Sequence, residues 1–340
     1  LLSKMNIENK ISLKNSNKYI NVCASNLGTK AIRCTDESFA AKERMLSETE
    51  PIFKNNVYDN YGQWMDGWET KRRRTAGFDW CIIRLGVPSC IEYFQIDTAY
   101  FTGNYPLQAS VWGSTKKREP SDNEKDWEII SNITDLGPSQ ITNFECTKKD
   151  VWRWLRLNIY PDGGIARFKA FGYVKPDWPL NKNDIETSNL IYGGKIISFS
   201  DAHYGNINSI ITKGNPVNMG DGWETRRRRS PGYDWIIIKL GTATKINKIL
   251  VDTTFFKGNS PSFISLQAEK IYAKENVNVE PQAIYWPKIL KKQIINPDSV
   301  HIFENDLYEF EKIVNYVKLN IYPDGGISRF RIFGKINDSN

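Results

Sequence analysis

The sequence predicts an all-β chain of two tandem domains, each built as a β-sandwich or jelly roll. First, the chain repeats itself: residues 66–86 and 221–241 are identical at 15 of 21 positions, and residues 157–172 and 319–334 at 13 of 16. Second, the repeat is far longer than the 20–50 residues of solenoids and propellers, so each copy is a domain with its own core. Third, short runs of alternating or β-branched residues end in turn signals, which is typical of sandwiches.

The length and the repeat give the same domain organisation. A chain of 340 residues predicts two domains at the usual ~150 residues each. We place the first repeat at residues 20–172 and the second at 189–334, with 173–188 as a linker that holds two prolines and a polar tail. The first repeat has ten more residues before its Asp-Gly-Trp-Glu-Thr motif than the second.

The individual strands are predicted by residue pattern. Apolar and polar residues alternate with period two in 155–159 and 317–321, and β-branched runs end in glycine at 81–85 and 236–240. The Pro-Asp-Gly-Gly sequences that follow the alternating runs predict turns, because proline fixes φ and glycine accepts positive φ. Helix signals are few, and residues 38–46 are the one candidate.

Composition narrows the class of protein. No run approaches the ~18 apolar residues of a membrane span, and the first residues lack the apolar segment of a secretory signal. All five cysteines lie in the first repeat, so we expect free thiols and a reducing, cytoplasmic location. Two histidines and no C-x-x-C pair argue against zinc. The net charge of +7 suits an anionic ligand or a nucleic acid without deciding between them.

The Asp-Gly-Trp-Glu-Thr motif and the basic run after it are the strongest candidate for a site. If this segment is a strand, alternate residues share a side, which puts Glu69 beside Lys71 and Arg73. A carboxylate among cations favours a small polar anion, since arginine binds carboxylates in bidentate fashion. An ion-paired surface strand explains the motif about equally well. A nucleic-acid patch is disfavoured, because acidic residues interrupt the basic run.

Other polar residues recur in both repeats with simpler explanations beside the functional one. Arg167, in the Tyr-Pro-Asp-Gly-Gly-Ile-x-Arg-Phe motif, is either a site residue near a loop or a solvated strand arginine. Asp97 follows an apolar strand and is either a loop cap or a site residue, whereas the turn alone explains Asn104. His203 stands opposite Ser38 when the repeats are aligned, and a lone histidine is more often structural.

Taken together, these motifs resemble the allantoicase family. The resemblance rests on DGWET-[KR]-R, [FY]-D-W-x-I-I, DTxxFxGN, GPSQ and YPDGGIxRF, in order and over nearly the whole chain. It implies tandem jelly rolls of galactose-binding-domain-like topology, hydrolysis of allantoate to ureidoglycolate and urea in purine (allantoin) breakdown, and a soluble homo-oligomer. The second repeat lacks the GPSQ loop, which leaves open whether each repeat holds a site.

The resemblance also suggests roles for the repeated residues. The catalytic candidates are a glutamate as general base and an aspartate that orients it or holds ureido nitrogens: Glu69, Glu224, Asp66 and Asp221. The candidates for binding the substrate are Arg72, Arg227, Asp97, Asp252, Arg167, Arg329, Asp162 and Asp324. A divalent metal such as Mn²⁺ suits carboxylate ligands, although no spacing demands it. We expect no nucleic-acid or membrane partner.

Two rival functions fit the same fold. A tandem lectin-like module would stack sugars on exposed aromatic side chains, for which Trp68 and Trp223 are the candidates. A catalytically inactive homologue is the other, and the intact acidic residues in both repeats disfavour it.

Overall fold

The computed structural model describes residues 19–272, 278–304, 307 and 312–336. The described residues form two compact, strand-rich units, which divide after Asp177. The predicted fold, all-β with two tandem jelly-roll sandwiches, is confirmed. No helix in the part of the chain that the structure describes is long and apolar enough to cross a membrane. All five cysteines are free thiols, as predicted.

The strands of the first unit, in chain order, are β1 (Ile20–Asn21), β2 (Lys30–Cys34), β3 (Tyr58–Asp59), β4 (Gly62–Gln63), β5 (Trp68–Glu69), β6 (Asp79–Asp97), β7 (Gln108–Ser114), β8 (Glu128–Ile129), β9 (Thr134–Asp135), β10 (Ile141–Glu145), β11 (Trp152–Tyr160), β12 (Gly164–Ile165) and β13 (Arg167–Val174). Short 3₁₀ helices lie at Ser25–Leu27, Lys42–Leu46 and Glu124–Asp126. The predicted helix over 38–46 is therefore limited to its second half.

The strands of the second unit are β14 (Ile185–Glu186), β15 (Lys195–Phe199), β16 (Trp223–Glu224), β17 (Asp234–Asp252), β18 (Phe263–Glu269), β19 (Lys288–Ile294), β20 (Val300–Phe303), β21 (Val314–Tyr322), β22 (Gly326–Ile327) and β23 (Arg329–Ile336). Its 3₁₀ helices are Leu190–Tyr192, Ile207–Ile211 and Ala283–Tyr285. β14 lies inside the predicted linker and pairs with β23.

One long strand organises each unit. The first part of β6 pairs with β2 and β11, and its second part pairs with β10 and β13. The change of partners comes at Gly86, where a Cβ would lie 2.0 Å from the carbonyl oxygen of Leu27. β6 therefore contributes to both layers of the sandwich. β17 does the same in the second unit, with β15 and β21 and then β20 and β23.

The central strand β11 is buried on both faces, which the alternating pattern did not predict. Arg156 and Asn158, the polar members of the pattern, are buried together with their apolar neighbours. The Arg156 guanidinium lies 4.9 Å from the ring centroids of both Trp80 and Trp112. Aromatic side chains thus cover the polar face of this strand, and burial lowers the pKa of Arg156.

Candidate active site

Glu69 is held rigidly where two short strands meet. β5 pairs with β12, which places Glu69 opposite Gly164. The backbone N–H of Glu69 donates to Ala40 O at 3.2 Å, and Glu69 O accepts from Ala40 N at 3.2 Å. A side chain at position 164 would collide with Phe101, because a Cβ there would lie 2.0 Å from its ring. The close approach allowed by this glycine fixes the Glu69 backbone on both sides.

The Glu69 carboxyl lies in a pocket of about 340 Å³. The described residues that line the pocket are Phe39, Tyr61, Gly62, Gln63, Met65, Glu69 and Asn104, so Glu69 is the one ionisable carboxyl in its wall. The side chain of Asn104 donates from Nδ2 to Glu69 Oε1 at 2.5 Å. Burial raises the pKa of Glu69, while the hydrogen bond from Asn104 acts in the opposite direction and leaves the pKa above its ordinary value.

One wall of the pocket is a hairpin that belongs to the longer segment of the first repeat. β3 and β4 pair with Tyr58 opposite Gln63. Arg44 fixes this hairpin, because its guanidinium forms an ion pair with Asp59 and donates to Met65 O at 2.9 Å. The same guanidinium lies 5.5 Å from the ring centroid of Tyr61. The wall is thus held by charge, hydrogen bonding and ring contact together.

Asp66 forms an ion pair with the buried Arg167. Arg167 is 1% exposed, and its Nη2 lies 2.7 Å from Asp66 Oδ2. Arg167 Nε also donates to Thr49 O at 2.8 Å, and Ile52 N donates to Asp66 Oδ2 at 2.9 Å. The interpretation of Arg167 as a solvated strand arginine is therefore wrong. The pair anchors the segment that leads into the pocket wall.

The second unit contains the same ion pair, with the aspartate and the arginine at corresponding positions. Arg329 Nη2 lies 2.6 Å from Asp221 Oδ2, and Arg329 Nε donates to Gly214 O at 3.1 Å. Arg329 is buried like its counterpart. In both units the two candidates are thus directed at each other and at the backbone.

The basic run after the glutamate is a loop, which makes the predicted alternation wrong. β5 ends at Glu69, and residues 70–78 form no strand. Arg73 turns inward to Asp79, with Nη1 2.6 Å from Oδ1, and its backbone N–H donates to Asp162 Oδ2 at 2.8 Å. Arg72 is exposed, and within the described residues it has no hydrogen-bond or ion-pair partner. Local side chain to backbone bonds outweigh strand pairing here.

The loop in the second unit has the same construction. Arg228 Nη1 lies 2.8 Å from Asp234 Oδ1, and Arg228 N donates to Asp324 Oδ2 at 2.8 Å. Arg227 is exposed. Asp162 and Asp324 therefore hold the loop backbone, while Arg72 and Arg227 are exposed on its surface.

Asp97 and Asp252 each close the end of the long strand. Asp97 Oδ1 accepts from Ala99 N at 2.8 Å, and Asp252 Oδ1 accepts from Thr254 N at 2.8 Å. Asp97 lies opposite Arg167 in the sheet. Burial, the largest cause, raises the pKa of Asp97. The loop-cap interpretation of both aspartates thus agrees with their hydrogen bonds.

The second unit contains the counterpart of the glutamate pair in a more open setting. Asn259 donates to Glu224 Oε1, but Glu224 is only half-buried. The backbone N–H groups of His203 and Tyr204 bond Glu224 O as those of Phe39 and Ala40 bond Glu69 O. His203 therefore matches Phe39, and the alignment with Ser38 was wrong because the segment differs in length. His203 Nδ1 accepts from Arg226 Nε at 2.8 Å.

The GPSQ loop and its replacement have the same backbone role. Thr98 Oγ1 donates to Gly137 O at 2.6 Å, and Thr253 Oγ1 donates to Asn296 O at 2.8 Å. The positive φ at Ser139, 45°, matches that at the corresponding residue of the second unit, 47°. The two loops thus share a backbone conformation and differ in their side chains.

Sequence reasoning missed most of the pocket lining. Asn104 was assigned to a turn, although its recurrence as Asn259, alongside the recurring glutamate, was a usable signal. Tyr61, Gln63 and Met65 lie in the segment without a counterpart, so the repeat gave no reason to select them.

The described residues offer no metal site ready for use. No three His, Cys, Asp or Glu side chains among them converge so that they could hold an ion. The pocket itself supplies one carboxyl, with amide oxygens from Gln63 and Asn104. Carboxylate, carbonyl and water oxygens are the donors that suit Mn²⁺, and of these the pocket offers a single carboxylate and two amide oxygens.

Fold and site together define a tandem jelly-roll protein with a buried carboxyl in a small pocket of mixed polar and apolar lining. A family model described as the allantoicase repeat matches residues 20–175 and 185–337. The chain belongs to the allantoicase family, which confirms the resemblance seen in the sequence.

The relatives match over almost the whole chain. A probable allantoicase of Acinetobacter baumannii is 42% identical over 323 residues, which cover 95% of this chain and 96% of the relative. One from Rhizobium meliloti is 42% identical over 323 residues, covering 94% of each. The crystal structure of the allantoicase from Saccharomyces cerevisiae has a TM-score of 0.79 and 32% identity, with 98% of both chains covered.

Proposed function

We propose that this protein is an allantoicase, which hydrolyses allantoate to ureidoglycolate and urea in purine (allantoin) catabolism. The observation that carries the proposal is the buried Glu69 carboxyl in a small pocket whose other polar groups are neutral. Allantoate is a small carboxylate flanked by two ureido groups. Neutral hydrogen-bonding groups from Tyr61, Gln63 and Asn104 suit the ureido groups, which carry both donors and acceptors.

Glu69 acts as the general base in this proposal. It takes a proton from water, whose oxygen bonds to the central carbon while the bond from that carbon to one ureido nitrogen breaks. The departing nitrogen receives the proton that Glu69 took from water, which gives urea and ureidoglycolate and leaves Glu69 ionised again. The raised pKa of Glu69 makes its carboxylate a stronger base than an exposed glutamate. Asn104 keeps the carboxylate in place.

The remaining candidates divide into contact and positioning residues. Arg72, which is exposed and has no partner among the described residues, is available to bind the substrate carboxylate through its fork of N–H groups. Arg167 and Asp66 position the pocket wall through their ion pair, and Asp162 positions the arginine loop. Asp97 holds the end of β6. The corresponding residues of the second unit stay candidates for the same roles.

No step of this mechanism passes through a metal, and dependence on Mn²⁺ remains a prediction. The test is to incubate the purified protein with allantoate, with and without EDTA, and to follow urea. Urea formed in both conditions supports the mechanism as written. Urea lost only with EDTA, and restored by Mn²⁺, would assign a metal to the carboxylates. No urea in any condition would refute the proposed function.

We also propose that the protein is a cytoplasmic homo-oligomer. Its partner is the small-molecule substrate allantoate, and we expect no nucleic-acid or membrane partner. The lectin-like alternative is not favoured, since Trp68 and Trp223 are fully buried and offer no face to a sugar ring. Their indole N–H groups donate to Asp36 O at 2.8 Å and Asp201 O at 2.7 Å. These tryptophans are structural.

A further inference from the structure

We propose that the hairpin of the first repeat converts a glutamate–asparagine pair common to both repeats into a working site, so that turnover resides in the first unit. This inference rests on the proposed function and assigns it to one of the two copies. The pair itself does not distinguish them, because Asn104 donates to Glu69 as Asn259 donates to Glu224. The backbone bonds at the two glutamates match as well.

The difference lies in what stands in front of the carboxyl. In the first repeat, Tyr61, β4 and Met65 line the pocket around Glu69, and β4 pairs with β3 to form the hairpin. In the second repeat, residues 200–222 are all described, and they contain the 3₁₀ helix Ile207–Ile211, a single bridge at Tyr204 and turns, with no hairpin. Length explains this, since the ten additional residues precede the motif only in the first repeat.

The wall is a built element of the first unit. Arg44 contacts both ends of the wall: it forms an ion pair with Asp59 in β3, and it donates a hydrogen bond to the carbonyl oxygen of Met65. Lys54 lies 4.4 Å from the ring centroid of Trp64 within the same segment. At the base of the segment, the Asp66–Arg167 pair bonds the backbone. An ordered wall can exclude water from a carboxyl in a defined way.

The wall has an electrostatic consequence for the glutamate. Glu69 is 9% exposed, and its burial raises its pKa, whereas Glu224 is half-buried. A general base gains strength from such desolvation. The position of apolar Phe39 is taken in the second unit by His203, which is bonded to cationic Arg226. The surroundings of Glu224 are thus more open and more polar.

The test compares the two asparagines, since each holds one glutamate by the same bond. Asn104→Ala should lower kcat for allantoate by about 10- to 100-fold, a loss below or within the range of a general base. In the wild type, the hydrogen bond from Asn104 lowers the pKa of Glu69. Its loss should raise this pKa and move the acid limb of the pH profile to higher pH. Asn259→Ala should keep kcat within about twofold of wild type, with an unchanged profile.

Two further measurements keep the inference falsifiable if Asn104→Ala does not fold. Gln63→Ala, at an exposed wall position, should raise KM for allantoate with little change in thermal unfolding. Calorimetry with allantoate and the Glu69→Gln variant, which keeps the pocket but lacks the base, should give one site per chain. Equal losses of kcat in the two asparagine variants, or two sites per chain, would overturn the inference and leave the proposed function standing. Wild-type protein that forms no urea would instead overturn the proposed function.

Discussion

Replacing Glu69 by glutamine tests the centre of the mechanism. Glutamine keeps the side-chain length and an oxygen that accepts the hydrogen bond from Asn104, so the pocket keeps its shape. It removes the one carboxyl that the described residues place in the pocket wall. The effect on turnover therefore reports the loss of the base.

The expected loss is large, because no second carboxyl among the described residues of the pocket wall can replace Glu69. General-base catalysis contributes about 10²- to 10⁴-fold. At about 1.36 kcal/mol for each tenfold change, this corresponds to about 2.7–5.4 kcal/mol of the activation barrier.

Stability should change in the opposite direction. A carboxyl whose folded pKa is raised, as that of Glu69 is, favours the folded state below its unfolded pKa and loses this contribution as the pH rises through the folded pKa. At neutral pH a glutamine avoids the cost of burying the charge. Glu69→Gln should thus unfold at a temperature equal to or above that of wild type.

The assay is urea release at saturating allantoate, paired with thermal unfolding of the same preparations. Glu224→Gln and the double variant complete the set. Wild-type turnover in both Glu69→Gln and Glu224→Gln would refute the assignment of a glutamate as base. A loss of turnover that follows a loss of folded protein would refute a catalytic role for Glu69.

Three further outcomes are expected. Turnover should fall as the pH falls through the raised pKa of Glu69, since the base must be ionised; a profile flat to the range of an exposed glutamate would contradict this. Asp66→Asn breaks the ion pair with the buried Arg167 and should lower the free energy of unfolding by about 3–5 kcal/mol, as measured with urea. Gly164→Ala places a Cβ 2.0 Å from Phe101 and should cost about 1–3 kcal/mol and distort the pocket; an unchanged denaturation midpoint would count against the packing argument.

The sequence predicted the architecture well because the domain sequence is repeated within the chain. Repetition marked the domains, and alternation and turn residues marked β11, β21 and the turns after them. Repetition also selected Glu69, Asp66 and Arg167 as important. It did not separate a residue that faces a ligand from one that faces another residue, because both kinds recur whenever a scaffold is duplicated.

The site was less predictable because long-range contacts decide it. Arg73 was expected beside Glu69. Instead, its side chain forms an ion pair with Asp79, and its backbone N–H donates to Asp162. Arg167 was expected to bind a ligand, yet its guanidinium bonds to Asp66 and to the backbone carbonyl of Thr49. Tyr61 becomes a neighbour of Glu69 only through the hairpin, and neither residue spacing nor periodicity encodes that contact.

The long strand β6 has a consequence for how the chain folds. It pairs with strands that begin at Lys30 and end at Val174, so neither layer of the first unit forms without contacts between distant segments. High contact order of this kind slows folding. During synthesis, the first unit has all its strands by Val174, before β17, the near copy of β6, begins at Asp234. Vectorial synthesis thus lets β6 find its own partners before β17 exists, and β17 is made after the strands that pair with β6 are complete.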